Sequence, residues 1–327
     1  AFLMRRSKQP WLAPLCAGAL LTTPSPTATG AAAQEAPQEA GWELVWADEF
    51  SGTELDRTKW TPEISCWGGG NDERQCYTDR PRNIQVRDGL LNLIAKKESF
   101  SGPTFPPEFG RSGRTRQSYT SGKVRTRGLA DWRYGRIEVR AKPPAGQGTW
   151  PAVWMMPAED YYGAWPLSGE IDILEAVNLG AACPDCEGDV GENRTISALH
   201  FGDTAPKNDF VDARVALPDG SLPSDDFHVW AAEWAEGEIR FFLDGVQYFR
   251  ATSEDWHTAS PRAEANPNAP FDRPFYIMAN LAIGGRLAEK NNEKGVSAAA
   301  ARSVFQIDWI RIYQCKDDKE KGRACMR

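Results

Sequence analysis

The chain has 327 residues, of which 41% are hydrophobic and 25% charged, so it is long enough to bury the core of one large domain. Its formal net charge of −7 argues against binding to nucleic acid or to anionic membranes, which attract basic proteins. The charge leaves an uncharged polymer open as a partner. The 13 tryptophans are a high count, and such rings serve either core packing or the stacking of sugars.

The N-terminal region is typical of an export signal. Residues 4–8 are basic, residues 11–21 form a short apolar run, and three alanines at 31–33 suit a cleavage site. We therefore predict a signal peptide over 1–33 and a secreted or periplasmic protein. The apolar run is too short to span a bilayer. Cys16 lies inside it, but the residues before Cys16 suit a lipoprotein anchor poorly.

Residues 34–40 are predicted to form a flexible linker, and residues 41–327 a folded domain made of short strands. Asp-Gly pairs at 88–89 and 244–245 favour tight turns between strands. Apart from a helical turn at 297–302, no helix is indicated. The predicted strands cover residues 90–95, 137–142, 227–231, 238–243, 246–250, 275–283 and 305–313. This pattern predicts an all-β, two-sheet antiparallel sandwich.

Besides Cys16, six cysteines fall into local pairs, which are Cys66 with Cys76, Cys183 with Cys186, and Cys315 with Cys325. Six cysteines allow fifteen connectivities, and the local pairing is the most economical in an exported protein. Cys183 and Cys186 could instead form a redox motif, but the βαβ context that it needs is absent. A zinc site would need four ligands, and no second pair has suitable spacing. We interpret this pair as a stapled loop.

Residues 169–175, Gly-Glu-Ile-Asp-Ile-Leu-Glu, carry three carboxylates among apolar residues that indicate a strand with one buried face. Strict alternation places Glu170 and Asp172 on one face and turns Glu175 into the core. A buried, unpaired carboxylate is costly. One extra residue between Asp172 and Glu175, a β-bulge, returns Glu175 to the face of the other two. We therefore predict a bulged strand.

Two glutamates held a few ångströms apart are the catalytic groups of a retaining glycosidase, whose carboxyl groups stand about 5–5.5 Å apart. The alternative is a solvated strand face that happens to be acidic. Mutual repulsion counts against this alternative, because like charges on one strand face are destabilising.

The flanking motifs decide between these interpretations. Over about residues 42–314 the chain resembles glycoside hydrolase family 16, close to the laminarinases, which are endo-β-1,3-glucanases. The motifs that carry this resemblance lie at residues 46–50 (Trp-Ala-Asp-Glu-Phe), 70–75 (Gly-Asn-Asp-Glu-Arg-Gln), 134–140, 146–157, 165–168, 170–175, 226–228, 280–285 and 308–313.

This resemblance implies a jelly roll with a concave substrate cleft, and a family 16 catalytic domain over 41–327. It also implies hydrolysis of β-1,3-glucan by a retaining double displacement, without a cofactor. Glu170 is then the nucleophile, Glu175 the acid/base, and Asp172 the carboxylate between them. Neighbouring carboxylates would raise the pKa of Glu175 and keep it protonated for its first task.

Other site residues are expected from the same resemblance. Those expected to bind substrate are Trp150, Trp154, Trp165, His200, Asn71, Glu73 and Arg125. At least one of the three tryptophans should stack on sugar, and at least one should lie in the core. A structural calcium ion would be held by Glu49, the carbonyl group of Gly89, and Asp308, which are oxygen donors of the kind calcium prefers.

Substrate and class stay open at this point. Relatives of the same fold cut mixed-linkage β-1,3-1,4-glucans or galactans, and the loop at 178–193 could reshape one end of the cleft. A member of another class, a β-glucan-binding protein without catalysis, would lack one or both glutamates, whereas this chain has both. We expect a monomer that binds a polysaccharide and neither nucleic acid nor membrane.

Overall fold

The computed structural model describes residues 41–186 and 188–326. The predicted signal peptide and linker, with Cys16, lie outside the described residues. The strands in chain order are β1 (Trp42–Asp48), β2 (Thr61–Pro62), β3 (Gln75–Tyr77), β4 (Ile84–Arg87), β5 (Leu90–Ile94), β6 (Lys96–Pro103), β7 (Arg114–Ser121), β8 (Lys123–Arg125), β9 (Gly135–Lys142), β10 (Thr149–Pro157), β11 (Glu170–Ala176), β12 (Arg194–Gly202), β13 (Asn208–Ala216), β14 (His228–Ala235), β15 (Glu238–Leu243), β16 (Val246–Thr252), β17 (Phe275–Ile283) and β18 (Val304–Cys315).

Helical structure is limited to short pieces in the described ranges. One α-helix, α1, follows β17. The bounds of the helices are Gly285–Lys290 for α1 and Gly68–Gly70, Pro107–Phe109, Pro261–Ala263, Ala300–Arg302 and Arg323–Cys325 for the 3₁₀ turns. None of the described helices is long and apolar enough to cross a membrane.

The strands form two large sheets. The first has the order β16-β15-β14-β9-β18-β5-β4, with β1 also paired to β18, and the second has the order β13-β12-β11-β10-β17-β8-β2. All their ladders are antiparallel within the described residues, which confirms the predicted all-β sandwich. A small third sheet, β3-β7-β6, contains a parallel pair and was not predicted.

The core lies between the two large sheets. The first sheet contributes residues such as Trp230 and Ile310, and the second contributes residues such as Met155, Ile171 and Ile277, all of them almost fully buried. Each such side chain stabilises the fold by about 1.5–3 kcal/mol through burial. Because successive strand residues point to opposite faces, this inward set leaves the other face of the second sheet to carry polar side chains.

The three disulfides have the predicted local pairing, which is therefore confirmed. Cys66 is bonded to Cys76, Cys183 to Cys186, and Cys315 to Cys325, with sequence separations of 10, 3 and 10. Loops this short restrict the unfolded chain only modestly, so each bridge contributes about 3 kcal/mol or less in the entropic account. The sandwich core, and not the bridges, is the main source of stability.

Candidate active site

The predicted β-bulge lies in the middle of β11. Toward β12, Asp172 pairs with Ala198 and Glu175 pairs with Ile196, so three steps along β11 match two steps along its neighbour. The ladder with β10 shifts at the same place. Residues 173–174 are both fully buried in the core. The extra residue therefore turns Glu175 outward, onto the face that carries Asp172.

Each of the three carboxylates on this face lies against a nitrogen of one aromatic ring. Trp165 Nε1 donates to Glu170 Oε2, His200 Nε2 lies 3.2 Å from Asp172 Oδ2, and Trp150 Nε1 donates to Glu175 Oε1 at 2.8 Å. The rings come from three different places, namely β10, β12 and the loop before β11. Together they hold three acidic groups of one strand in defined positions.

Asp172 and His200 lie within ion-pair distance of each other. Burial, with the charges of Glu170 and Glu175, raises the pKa of Asp172 well above its ordinary value. Burial lowers the pKa of His200, but Asp172 and the charges of the two glutamates outweigh burial and raise it to about 10. The raised pKa favours the imidazolium form of His200, whose charge offsets part of the negative charge that β11 concentrates.

The pKa of Glu175 is raised chiefly by burial. The Trp150 N–H and the charge of His200 lower it, while the charges of Glu170 and Asp212 raise it further. The net shift is upward, which favours a protonated Glu175. A carboxyl group that keeps its proton beside other carboxylates is suited to donate that proton to a leaving oxygen.

Comparison with known families agrees with this geometry. A family model described as "Beta-porphyranase A-D, GH16 domain" matches residues 42–315. The chain belongs to glycoside hydrolase family 16. The strand order, the bulge and the outward-facing carboxylates therefore belong to a glycoside hydrolase domain, and the jelly roll that the sequence resemblance implied is confirmed.

Individual relatives support the same family. The glucan endo-1,3-beta-glucosidase A1 of Niallia circulans is 37% identical over 85% of this chain, which spans 39% of the length of that relative. The beta-1,3-glucan-binding protein of Penaeus monodon is 34% identical over 74% of this chain and 74% of its own. The solved laminarinase of Rhodothermus marinus has a TM-score of 0.65 at 34% identity, covering 83% of this chain and 97% of its own.

In this family 16 domain the three predicted tryptophans all lie near β11. Trp150 and Trp154 are half-buried, and Trp165 is 41% exposed. The expectation that at least one would lie in the core is wrong, because none belongs to the main core. Trp150 packs against a small separate cluster of Val177, Ile196 and Ala288. Sequence alone could not show this, since an indole suits both a core and a cleft.

Asn71 and Glu73 contact each other in the loop before β3. Asn71 Nδ2 donates to one carboxylate oxygen of Glu73 at 3.2 Å, and Gln75 Nε2 donates to the other at 2.7 Å. Glu73 is buried, and burial raises its pKa. The structure thus brings these two predicted residues together, in a loop whose Glu73 pairs with Gly284 beside the end of β17.

Arg125 lies on β8, in the same sheet as β11, and belongs to a buried ion cluster that sequence reasoning missed. Its guanidinium pairs with Glu108 and lies 3.4 Å from Glu63. Lys123, two residues earlier on the same face, lies 3.0 Å from Glu63 and 4.9 Å from the centroid of the Trp154 ring. The alternation of Lys123 and Arg125 around a buried valine could have indicated that both share one face.

The three residues predicted to hold calcium lie on or beside strands of the first sheet, since Glu49 follows β1, Gly89 lies in the turn between β4 and β5, and Asp308 is on β18. The strands that carry or flank them are adjacent, because β18 pairs with both β1 and β5. Glu49 is bound by Arg311 through two hydrogen bonds of 2.7 and 2.9 Å, and Asp308 pairs with Arg140. Oxygen donors suit calcium, but each carboxylate already has a cationic partner. The calcium site stays a prediction.

Proposed function

We propose that this family 16 protein is an endo-acting β-1,3-glucanase that hydrolyses its substrate with retention of configuration. The observation that carries the proposal is the bulged strand, which presents Glu170 and Glu175 on one face with Asp172 between them. Relatives named as glucan endo-1,3-beta-glucosidase and laminarinase favour β-1,3-glucan as the substrate.

The chemistry would proceed in two displacements. In the first, Glu170 attacks the anomeric carbon while Glu175 gives its proton to the leaving glycosidic oxygen. Glu170 is then an ester without charge, so Glu175 loses part of the repulsion that raised its pKa. Its pKa falls, and it can take a proton from the water that attacks the glycosyl-enzyme. One carboxyl group thus serves as acid and then as base.

Asp172 and His200 would support both steps without exchanging protons with the sugar. The cationic His200 lies 3.2 Å from Asp172 and also lowers the pKa of Glu175. It therefore limits the upward shift that burial produces, and a moderate pKa lets Glu175 change protonation state during turnover.

A galactan is the second candidate substrate, because the family description that matches residues 42–315 is that of a β-porphyranase domain. A non-catalytic glucan-binding role is the candidate from another class, in view of the shrimp relative named for binding. The non-catalytic role is disfavoured here, since a binding surface has no need for two glutamates on one strand face with the pKa of one of them raised.

The test is a substrate panel of laminarin, lichenan, agarose, carrageenan and porphyran, followed by release of reducing ends. We expect laminarin to be cleaved fastest and in the interior of the chain. Proton NMR of the first product should show the β-anomer, as retention requires. An initial α-anomer would contradict the retaining mechanism, and faster cleavage of porphyran than of laminarin would contradict the substrate assignment.

We also propose that the protein is exported, on the basis of its N-terminal signal pattern and its three disulfides, which persist in oxidising compartments. Mass spectrometry of the mature protein from a secreting host should find an N-terminus near residue 34. A mature chain that retains residues 4–21 would contradict cleavage.

Replacing Trp150 by phenylalanine should move the basic limb of the pH profile of kcat/KM to higher pH. The indole N–H donated to Glu175 favours the carboxylate, so its loss raises the pKa of the acid/base and keeps it protonated longer. Turnover at the optimum should fall by about tenfold, equivalent to about 1.4 kcal/mol.

The matched control is Trp154→Phe on the same strand, because Trp154 donates to Asn280 and not to a carboxylate. The basic limb of this control should stay in place. Equal shifts of the basic limb in the two variants would show that the hydrogen bond to Glu175 is not the cause.

Removal of calcium should lower the melting temperature while activity well below that temperature stays nearly unchanged. An ion that binds only the folded state stabilises it. The proposed ligands Glu49, Gly89 and Asp308 lie on or beside strands of the first sheet, whereas β11 belongs to the second. The measurement is thermal unfolding with EDTA and with added calcium, using magnesium as the control ion. A melting temperature that neither treatment changes would exclude the site.

A further inference from the structure

Phe210 is an exposed aromatic residue on the same face as the catalytic carboxylates. It lies on the edge strand β13 directly opposite His200, which is itself directly opposite Glu170 on β11. Residues directly opposite one another in neighbouring strands point to the same face. The Phe210 side chain is 57% exposed, although its ring is entirely apolar.

The ring of Phe210 continues a row of rings that begins at the nucleophile. The centroids of Trp165 and His200 are 6.1 Å apart, and those of His200 and Phe210 are 5.7 Å apart with an angle of 33° between the planes. Trp165 donates its indole N–H to Glu170. We call Trp165, His200 and Phe210 the aromatic strip. It crosses the sheet from Glu170 to the edge, over two inter-strand spacings of about 4.8 Å each.

The core does not need Phe210. Val211 and Val215, which alternate with it along β13, pack against the core from the other face. Single exposed apolar side chains are common and need no explanation. Phe210, however, adjoins a ring of the candidate active site, so a chain that occupies that site and extends over β12 and β13 would cover it.

The neighbouring polar group fits the same ligand. Asp212 is exposed two residues beyond Phe210 on the same strand face, and its charge reaches Glu175, whose pKa it helps to raise. A flat apolar ring beside a carboxylate matches a pyranose, which offers a C–H face for stacking and hydroxyl groups for hydrogen bonds. An uncharged sugar also adds no charge to the acidic strand.

We propose that Phe210 is the stacking platform of a distal sugar subsite, which binds a pyranose ring of the polysaccharide beyond those at Glu170 and His200. This inference rests on the proposed hydrolase function and adds the direction in which the substrate chain leaves the catalytic residues, namely across β12 toward β13. The subsite lengthens the cleft on the side opposite to Lys123 and Arg125.

The experiment compares Phe210→Ala and Phe210→Trp in the full chain on β-1,3-gluco-oligosaccharides of increasing length and on laminarin. Phe210→Ala should lower kcat/KM about tenfold on chains long enough to reach the edge strand, and little on the shortest cleaved substrate. Phe210→Trp should retain the preference for long chains. The matched control is Val246→Ala, since Val246 is 65% exposed on β16 of the first sheet.

The outcomes separate this inference from the proposed function. A reduction of kcat/KM in Phe210→Ala that grows with the length of the substrate chain, at an unchanged melting temperature, supports the subsite. If kcat/KM of Phe210→Ala falls equally at every chain length, or does not fall, the subsite is overturned. Cleavage of laminarin by the unsubstituted protein would still uphold the proposed function. A protein that cleaves no β-1,3-glucan at all overturns both.

Discussion

Replacing either Glu170 or Glu175 by glutamine should reduce turnover on laminarin by about 10³-fold or more. An amide in place of Glu170 cannot form the glycosyl ester, and an amide in place of Glu175 can neither donate the first proton nor accept the second. Glutamine keeps the shape of each side chain, so the bulged strand and the melting temperature should stay as they are. Initial rates and thermal unfolding measure the two properties separately.

Small anions distinguish the two roles. Azide should restore cleavage by Glu170→Ala and Glu175→Ala variants, and the glycosyl azide should be the α-anomer when the nucleophile is missing and the β-anomer when the acid/base is missing. Glu254→Gln, an exposed residue after β16, is the control and should leave turnover unchanged. Near-normal turnover in either active-site glutamine variant would refute the assignment.

The bulge could be predicted from the sequence because a regular strand would have buried the charged side chain of Glu175. Alternation along 170–175 would have placed Glu175 in the core without a partner, and a single extra residue removed that cost. The structure has this extra residue, and residues 173–174 both enter the core. Similar local reasoning succeeded for the cysteines, because each one has its bonded partner within ten residues along the chain.

Alternation was less informative where both faces of a strand are apolar. Residues 227–231 correctly indicated a strand, observed as β14. Phe227 and Val229 point to one face of this strand and Trp230 to the other, so apolar residues occur on both faces. The face in the core is the one that carries Trp230, Ala232 and Trp234. The partner sheet decides which face is buried, and a single strand contains no information about its partner.

Contacts between distant segments were beyond local reasoning altogether. Phe210 meets His200 only because β13 pairs with β12. Glu63 meets Lys123 and Arg125 although about sixty residues separate them along the chain, because β2 pairs with β8. A charged residue in a sequence is most often exposed, so nothing local marked these three for burial.

The buried ion cluster at Glu63 should therefore dominate the stability of its end of the second sheet. Replacing Glu63 by alanine leaves Lys123 with an unmatched buried charge and Arg125 with Glu108 alone, which costs about 3–5 kcal/mol. Glu43→Ala is the control, because the pair of Glu43 with Lys319 is exposed and should contribute about 1 kcal/mol or less. Denaturant unfolding at neutral pH measures both.

The difference in the free energy of unfolding between the unsubstituted protein and Glu63→Ala should also depend on pH. Burial raises the pKa of Glu63, but the charges of Lys123 and Arg125 and a hydrogen bond from Ser65 outweigh burial and lower it below its ordinary value. A lowered pKa gives stabilisation that is complete above the unfolded-state value of about 4.3 and is lost as the pH falls through the lower folded-state value. The stability difference should thus be constant near neutral pH and shrink in acid.

The Glu63→Ala substitution should also affect substrate binding, because Lys123 lies over the ring of Trp154. Without Glu63, Lys123 loses the carboxylate that fixes its ammonium group 4.9 Å from the centroid of the Trp154 ring. We expect KM for laminarin to rise in Glu63→Ala at temperatures where the variant is fully folded, while kcat changes less, since β11 keeps its own contacts. A fall in kcat alone, with KM unchanged, would show that the cluster acts on the catalytic strand and not on substrate binding.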